Sequence, residues 1–390
     1  MNLNICMVAS YFYPMGYGGN AVYGLCRNLV KRGLEVHVIT SKIYGEPDFQ
    51  LLQGINVHRL PTYFLRLFNT VYPVSPRALS GILKVINNDI DLIHAHFGIF
   101  QTTFTSSLVK RIIRKPMVLT MHGQGVTARS SYGSKTLDFM WLINHNTVER
   151  FTVSSADKII ALTEAEKTKA HKLGAKPENV FVIPNGVDIE RFKPAKPSND
   201  YYTELSLRRE HKVVVFVGRL HSSHGVVLLL EAITRVVKTH PESRFILVGD
   251  GPLRQYVSRF IKSRGLDKYV RILGYREDIP QLLNIAHLFV YPALSVGMPL
   301  SVLEAMACEK LVMAFDIDGN QEIITNGKTG LLIQKFNASA LASSITSTLS
   351  DIELFSGIGH SARKYVTTHF SQDMVTEKVI SVYNKLARKI

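Results

Sequence analysis

Several things are scarce or missing in this chain, and each absence narrows what it can do. There are only three cysteines, Cys6, Cys26 and Cys308, far apart and forming no CxxC. Neither a disulfide framework nor a paired-thiol centre is therefore expected, and buried thiols in a reducing compartment are. No run of about 18 or more apolar residues occurs, so a membrane-spanning helix is not expected. The opening stretch MNLNICMVAS has no basic n-region and no clear cleavage site, so no secretory signal is expected there. No GxGxxG follows the first strand-like run, and no acidic residue stands after the second, which argues against a dinucleotide-dependent oxidoreductase. No motif of RNA or DNA binding is present. Low-complexity segments and short repeats are absent too.

What is present is an ordinary globular composition with an unusual charge. The 390 residues are too many for one core, so two domains are expected. Apolar residues make up 46% and charged ones 20%, both normal for a globular protein. The formal net charge of +15 favours an anionic partner: nucleic acid, anionic lipid headgroups or phosphorylated ligands. With no nucleic-acid motif, no nucleic-acid partner is expected.

The pattern along the chain is strand, loop, helix, repeated. NICMVAS reads as a strand, YFYPMGYGGN as a Gly/Pro loop, and AVYGLCRNLVKRG as a helix closed by glycine. Further strands are expected at LEVHVIT, INVHRL, DLIHAHF, PMVLTMH, KIIALT and VFVIPN, which argues a parallel sheet covered on both faces. RFKPAKPSNDYY, rich in Pro, Lys and Asn without apolar periodicity, reads as a linker. A second series runs through HKVVVFVGRL, SRFILVGDGP, YVRILGY, LFVYPA, KLVMAFD and TGLLI, and two helical stretches end the chain. The last of them, about Gln372 to Ile390, is amphipathic and basic. The expectation is two Rossmann-like α/β domains. Residues 1–193, together with 372–390, form the first, and 194–371 form the second.

In open α/β sheets ligands bind beyond the carboxyl ends of strands, and five stretches lie there. Gly16, Gly18 and Gly19 stand between a strand and a helix start, where backbone amides approach a phosphate; a plain tight turn is the alternative. His94, His96 and His122 fall near strand ends, where imidazole can donate to a sugar hydroxyl or a reacting oxygen. They lack Asp or Glu partners at ligand spacing, so no metal is expected, and a structural role stays open, for His94 above all. Arg219 leaves a strand after Gly218, as a guanidinium suited to clamp a diphosphate would. LVGDGP places Gly251 in a turn where backbone comes close to a ligand. In ALSVGMPLSVLEAMA, Glu304 is a lone carboxylate near a helix start, able to accept two hydrogen bonds from a ribose diol.

Taken in order, YFYPMGYGGNAVYGLCRNLVKRGLEVHVIT, HAHF, TMHGQG, VIPNGVDIERFKP, FVGRL, LVGDGP, GMPLSVLEAMA and GNQEIITNGKTGLLI resemble a family-4 glycosyltransferase of the GT-B fold, over nearly the whole chain. The resemblance implies two Rossmann-like domains facing across a cleft, with the last helix crossing back to the first domain. The first domain would bind acceptor and the second the nucleotide sugar. It also implies a retaining transfer that needs no metal and no other cofactor. By the same resemblance, Gly18 and Gly19 match the loop approaching the donor diphosphate, and His122 the histidine that contacts the transferred sugar. Arg219 matches the basic residue that stabilises the departing diphosphate. Pro299, Leu300 and Ser301 lie where amides cradle phosphate, beside Gly297. Glu304 matches the second carboxylate of the family's Glu-x7-Glu motif, the ribose ligand.

The sequence departs from that pattern at three places. Val296 stands where the first Glu of the motif belongs, His224 where a lysine precedes Gly225, and ACEKLV replaces a stretch in which Gly and Pro are expected near Glu309 and Leu311. A valine accepts no hydrogen bond, and a histidine is mostly neutral at pH 7. Two functional expectations follow. The first is a transferase moving a hexose from a nucleotide-diphosphate sugar to a lipid-linked or glycan acceptor, weakened by Val296 and His224. The second is a degenerate, non-catalytic nucleotide- or glycan-binding member acting as a partner subunit.

Basic residues suggest where an acceptor sits. YFLRLFNTVYPVSPRALSGILKVI mixes aromatics with Arg66, Arg77 and Lys84, and FTSSLVKRIIRKP adds Lys110, Arg111, Arg114 and Lys115. Basic helices with aromatic and aliphatic neighbours suit an anionic membrane surface; a solvated basic face is the alternative. A cytoplasmic protein, peripheral at the inner face of the membrane, is the expectation.

Overall fold

The computed structural model describes residues 3–12, 19–67, 70–86, 89–123 and 144–387. The chain divides into two compact units, Met1–Gly186 with Gln372–Ile390, and Val187–Ser371. The division falls ahead of the Pro- and Lys-rich stretch near 193 because Val187 is already tied into the second unit: its N–H donates to Phe370 O at 2.8 Å.

The first unit holds β1 (Asn4–Val8), β2 (Glu35–Ser41), β3 (Phe49–Leu52), β4 (Ile55–Leu60), β5 (Tyr63–Leu67), β6 (Thr70–Val74), β7 (Leu92–His96), β8 (Met117–Thr120), β9 (Lys158–Ala161) and β10 (Val180–Val182). Eight of these form one sheet in the order β10-β9-β8-β7-β1-β2-β4-β3, with β5 and β6 as a separate hairpin. All pairs in the large sheet are parallel except β3 with β4. The strands are apolar runs because helices cover both faces, which two buried clusters mark, one around Ile5, Met7 and Val38 and the other around Val8, Ile39 and Ile93.

Helix Gly19–Lys31 buries Val22, Leu25, Cys26 and Leu29, a stripe at helical spacing. It stops at Gly33, whose φ of 82° admits no side chain without strain and whose N–H donates to Val30 O at 2.9 Å. Helix Gln372–Ala387 packs Val375, Val379, Val382, Tyr383 and Leu386 into the same cluster. Each such side chain stabilises the unit by about 1.5–3 kcal/mol. Arg32 adds ion pairs to Asp373 at 3.2 Å and Glu377 at 2.7 Å, but both acids are exposed, so each contributes at most about 1 kcal/mol.

The second unit is a six-stranded parallel sheet made of β11 (Lys212–Val217), β12 (Ser243–Val248), β13 (Val270–Gly274), β14 (Leu288–Tyr291), β15 (Leu311–Phe315) and β16 (Leu331–Ile333), ordered β13-β12-β11-β14-β15-β16. Strand order reverses between β11 and β14 here, and between β1 and β7 in the first unit. These are the switch points at which loops splay apart and leave room for a ligand.

Cys6, Cys26 and Cys308 are buried and unpaired. No helix among the described residues is long and apolar enough to cross a membrane.

Candidate functional site

At the switch point of the second unit, two loops are sewn together. After β11 the chain runs Gly218-Arg219-Leu220-His221 into a short 3₁₀ turn, Ser222–His224, and then helix Val226–Thr239. Between turn and helix, Gly225 adopts φ 69°, and a Cβ there would meet Pro292 O at 1.7 Å, so the loop after β14 fits only against glycine. Leu294 N–H then donates to Ser223 O at 2.8 Å. Arg219 is partly buried in this loop. In the turn after β12, Gly251 N–H donates to Asp250 Oδ1 at 2.7 Å, and Leu220 N–H to Asp250 O at 2.9 Å.

His224 is held with Nδ1 3.2 Å from Tyr291 Oη. Burial, with His221 and Arg219 adding repulsion, pushes its pKa down to about 4. His221, whose Nδ1 lies 2.8 Å from Ser223 Oγ, is likewise pushed down to about 4 by burial and by Arg219. Both imidazoles are neutral at pH 7, so the formal positive charge of this loop is Arg219's.

The loop after β14 carries Val296 and Gly297, both partly buried. It is pinned from the far side by Gly319, where a Cβ would lie 2.5 Å from Val296 O and 2.0 Å from Gly297 O. Pro299 then caps helix Leu300–Ala307 without a side-chain hydrogen bond, and no acid stands in the first turn. The leading amides, Leu300 and Ser301 among them, therefore have no partner within the helix and form an anion-binding end. Glu304 lies one turn along. Burial raises its pKa to about 7, opposed by the charge of Arg191. Arg191 itself stacks over Phe192 at 5.2 Å and donates to Glu277 O at 2.8 Å. The helix closes on Arg363, whose guanidinium donates to Ala307 O, a cation at the negative end of the dipole.

In the first unit, β7 and β8 run in register with His94 opposite Val118 and His96 opposite Thr120. His94 is fully buried, its Nδ1 2.6 Å from Tyr383 Oη and its Nε2 2.6 Å from Thr120 Oγ1. That is a structural role, linking the last helix to the sheet. His96 Nδ1 is 2.9 Å from His122 Nε2, and the His122 ring stacks on Phe97 with centroids 4.3 Å apart. Burial drives the pKa of His94 and of His122 down to about 3. A recess of about 350 Å³, open mouth included, is lined by His96, Thr120 and His122 with Gln372 and Val375 of the last helix. Gly19 opens helix Gly19–Lys31; Gly16 and Gly18 lie outside the described residues.

Two side chains here were missed in the sequence. Tyr383 carries no signal, because it acts across 289 residues of chain. Glu166 is 6% exposed, accepts from Leu162 N–H at 2.7 Å, and has its pKa raised to about 7 by burial. Its place three residues past the cap Thr163 is a signal that could have found it.

The basic residues separate into two groups. Lys110 is tied to Asp157 Oδ1 at 2.7 Å and Ser155 O at 2.6 Å and is engaged within the unit, while Arg111 stacks over Phe151 at 4.7 Å but stays exposed. Arg77 and Arg114 are exposed, as are Leu79 at 45% and Ile112 at 61%. Arg66 lies on β5 opposite Val71, in a hairpin and not in a basic helix.

Comparison with known proteins gives a family match for each unit. The family model described as Glycosyltransferase Family 4 matches residues 18–191, and that described as Glycosyl transferases group 1 matches 200–365. N-acetyl-alpha-D-glucosaminyl L-malate synthase of Bacillus anthracis is 25% identical, over 96% of each chain. UDP-Gal:alpha-D-GlcNAc-diphosphoundecaprenol alpha-1,3-galactosyltransferase of Escherichia coli is 27% identical over 79% of each. The solved structure of sucrose-phosphate synthase from Thermosynechococcus elongatus superposes with a TM-score of 0.82 at 21% identity, covering 100% of both chains, and the shared fold is GT-B.

Proposed function

The chain belongs to the glycosyltransferases of family 4, and from that membership we propose that it moves a hexose from a nucleoside-diphosphate sugar to a lipid-linked or glycan acceptor, with retention at the anomeric carbon. The observation that carries the reading is the cradle of the second unit: Arg219 after β11, an uncapped helix end at Leu300 and Ser301 after β14, and a half-buried carboxyl at Glu304 one turn further. In this reading Glu304 accepts from the ribose diol. The amides and Arg219 meet the diphosphate, and their positive charge grows in value as negative charge builds on the leaving group. They take the place a metal ion would otherwise fill. Within the first unit, the family resemblance makes His122 the histidine for the transferred sugar and Gly19 part of a phosphate-approaching loop.

The relatives' names support a nucleotide sugar and a lipid-linked acceptor: the Escherichia coli protein's name specifies UDP-galactose and a diphosphoundecaprenol. The exposed Arg77 and Arg114, with Leu79 and Ile112 near them in sequence, support an acceptor presented at an anionic membrane surface. A second reading is favoured by Val296 and by the neutral His224: a chain that binds the nucleotide sugar but transfers slowly or not at all.

The test is a panel of UDP-, GDP- and ADP-sugars, followed for binding and for nucleotide release. One nucleotide class is expected to bind. Arg219→Ala should weaken the diphosphate by about tenfold to a hundredfold while leaving the nucleoside nearly unchanged. Binding without turnover on any acceptor selects the second reading, and no binding of any nucleotide sugar refutes both.

A further inference from the structure

His96 ends β7, and His122 stands two residues past β8. The parallel register brings their rings together, with Nδ1 of His96 2.9 Å from Nε2 of His122. His96 is 1% exposed, and its Nε2 is buried with no hydrogen-bond partner among the described residues. The His122 ring cannot swing freely, because it lies nearly parallel to Phe97, 25° between planes. Phe97 is fixed in turn: it sits at φ 63°, and its N–H donates to Thr120 O at 3.1 Å. Burial keeps both imidazoles neutral, the pKa of His122 near 3 and that of His96 far below its ordinary value.

Two neutral imidazoles that share one hydrogen bond have two arrangements. In one, His96 Nδ1–H donates to His122 Nε2. The buried Nε2 of His96 is then a bare lone pair, and the proton of His122 sits on Nδ1. In the other, His122 Nε2–H donates, and His96 must carry its own proton on Nε2, where a buried N–H has no acceptor. Orphaned buried N–H groups are rarer in folded proteins than under-used acceptors. Neighbouring His94 offers no relief, since both its nitrogens are engaged, with Tyr383 and Thr120.

We infer that His96 is a positioning residue that locks His122 in the tautomer protonated on Nδ1, so that His122 meets its substrate as a hydrogen-bond donor and not as a base. Nδ1 of His122 makes no hydrogen bond among the described residues, and His122, which is less buried than His96, lines the recess beside Gln372, from which a ligand oxygen can reach it. On the transferase reading, which this inference deepens, the oxygen is a hydroxyl of the donor sugar. A base at that place would draw the hydroxyl proton; a donor leaves it in place and fixes the sugar's orientation instead.

The experiment is nitrogen NMR of the full chain with labelled histidine, His122 being assigned by its loss in a His122→Gln variant. The expected spectrum shows Nδ1 of His122 in the protonated range and Nε2 in the unprotonated range. His96→Asn, whose amide donates from the place of Nδ1, should preserve both the tautomer and kcat. His96→Asp, an acceptor only, should move the proton to Nε2 and lower kcat by about tenfold or more, with a smaller change in KM for the donor. A wild-type spectrum with His122 protonated on Nε2 overturns the inference, as does an unchanged tautomer in a folded His96→Asp chain. If His96→Asp does not fold, the wild-type spectrum decides alone. A chain that transfers no sugar refutes the transferase reading, while the spectra still settle the tautomer.

Discussion

If Glu304 meets the ribose diol as proposed, nucleotide binding should depend on pH in a direction that follows from its raised pKa. Burial raises its pKa from 4.5 to about 7, so near neutrality about half of the empty sites hold a proton there. A ribose diol donates two hydrogen bonds, and a carboxylate accepts both, whereas a carboxylic acid competes with its own proton. Binding therefore selects the ionised form. For a pKa of about 7, roughly one tenth of the sites are ionised at pH 6 and roughly nine tenths at pH 8. Affinity should then rise about tenfold over that span, about 1.4 kcal/mol. The neighbouring His221 and His224 titrate near 4 and stay neutral throughout. A nucleotide sugar is the right ligand, because its esterified diphosphate keeps one charge state over this window. Titration calorimetry at pH 7 in two buffers of different ionisation enthalpy should show about half a proton released per ligand bound, and Glu304→Gln should abolish both the release and the pH slope. The sign for stability is opposite. The empty folded chain holds this proton more tightly than the unfolded chain, so its contribution to stability is present below about 4.5 and is lost as pH rises through about 7. Flat affinity from pH 6 to 8 with no proton release would mean that the carboxyl of Glu304 does not touch the ribose.

Two further outcomes follow from the same unit. On the proposed reading, Val296→Glu with His224→Lys would supply a carboxylate at the sugar and a cation at the diphosphate; initial rates with the best donor should rise about 10²–10³-fold while nucleotide affinity changes less, and a wild type already as fast as the double variant would refute the weakened-site reading. Glu309 sits at φ 58°, a left-handed conformation costly for any residue but glycine, and its ion pair to the exposed His360 at 3.3 Å is weak, so Glu309→Gly should stabilise the chain by about 0.5–1 kcal/mol. Thermal unfolding checks this, and a lowered midpoint would show that the side chain of Glu309 matters more than its backbone strain.

The parallel strands of both large sheets were legible because most are buried on two faces and so read as short apolar runs, NICMV or KVVVFV, between turn residues, whereas the half-exposed antiparallel β3 was not. The glycines were legible because a loop that must approach another backbone closely has no room for a side chain. Glu304 stood out because a carboxylate set among apolar neighbours is costly to bury unless a ligand or partner meets it. Other features had no such signature. Residues 63–67 and 70–74 pair as β5 and β6, with Phe64 and Tyr72 packed on the core while Tyr63 and Leu65 are exposed, and their mixture of aromatics and arginine gives no sign of that pairing. Lys110 carried the same charge signal as Arg114, and only its contacts with Asp157 and Ser155 distinguish it.

The sequence alone determined the fold class, the order of the parallel strands and the place of each candidate along them, because these depend on local patterns of burial and turning. Tertiary structure decided the chemistry. It set the register that puts His96 against His122 and the helix that brings Tyr383 to His94. Burial then left His224 neutral and Glu304 poised near pH 7. A proton's position depends on which groups lie within about 3 Å and how much water is excluded, and neither is a property of neighbours in sequence.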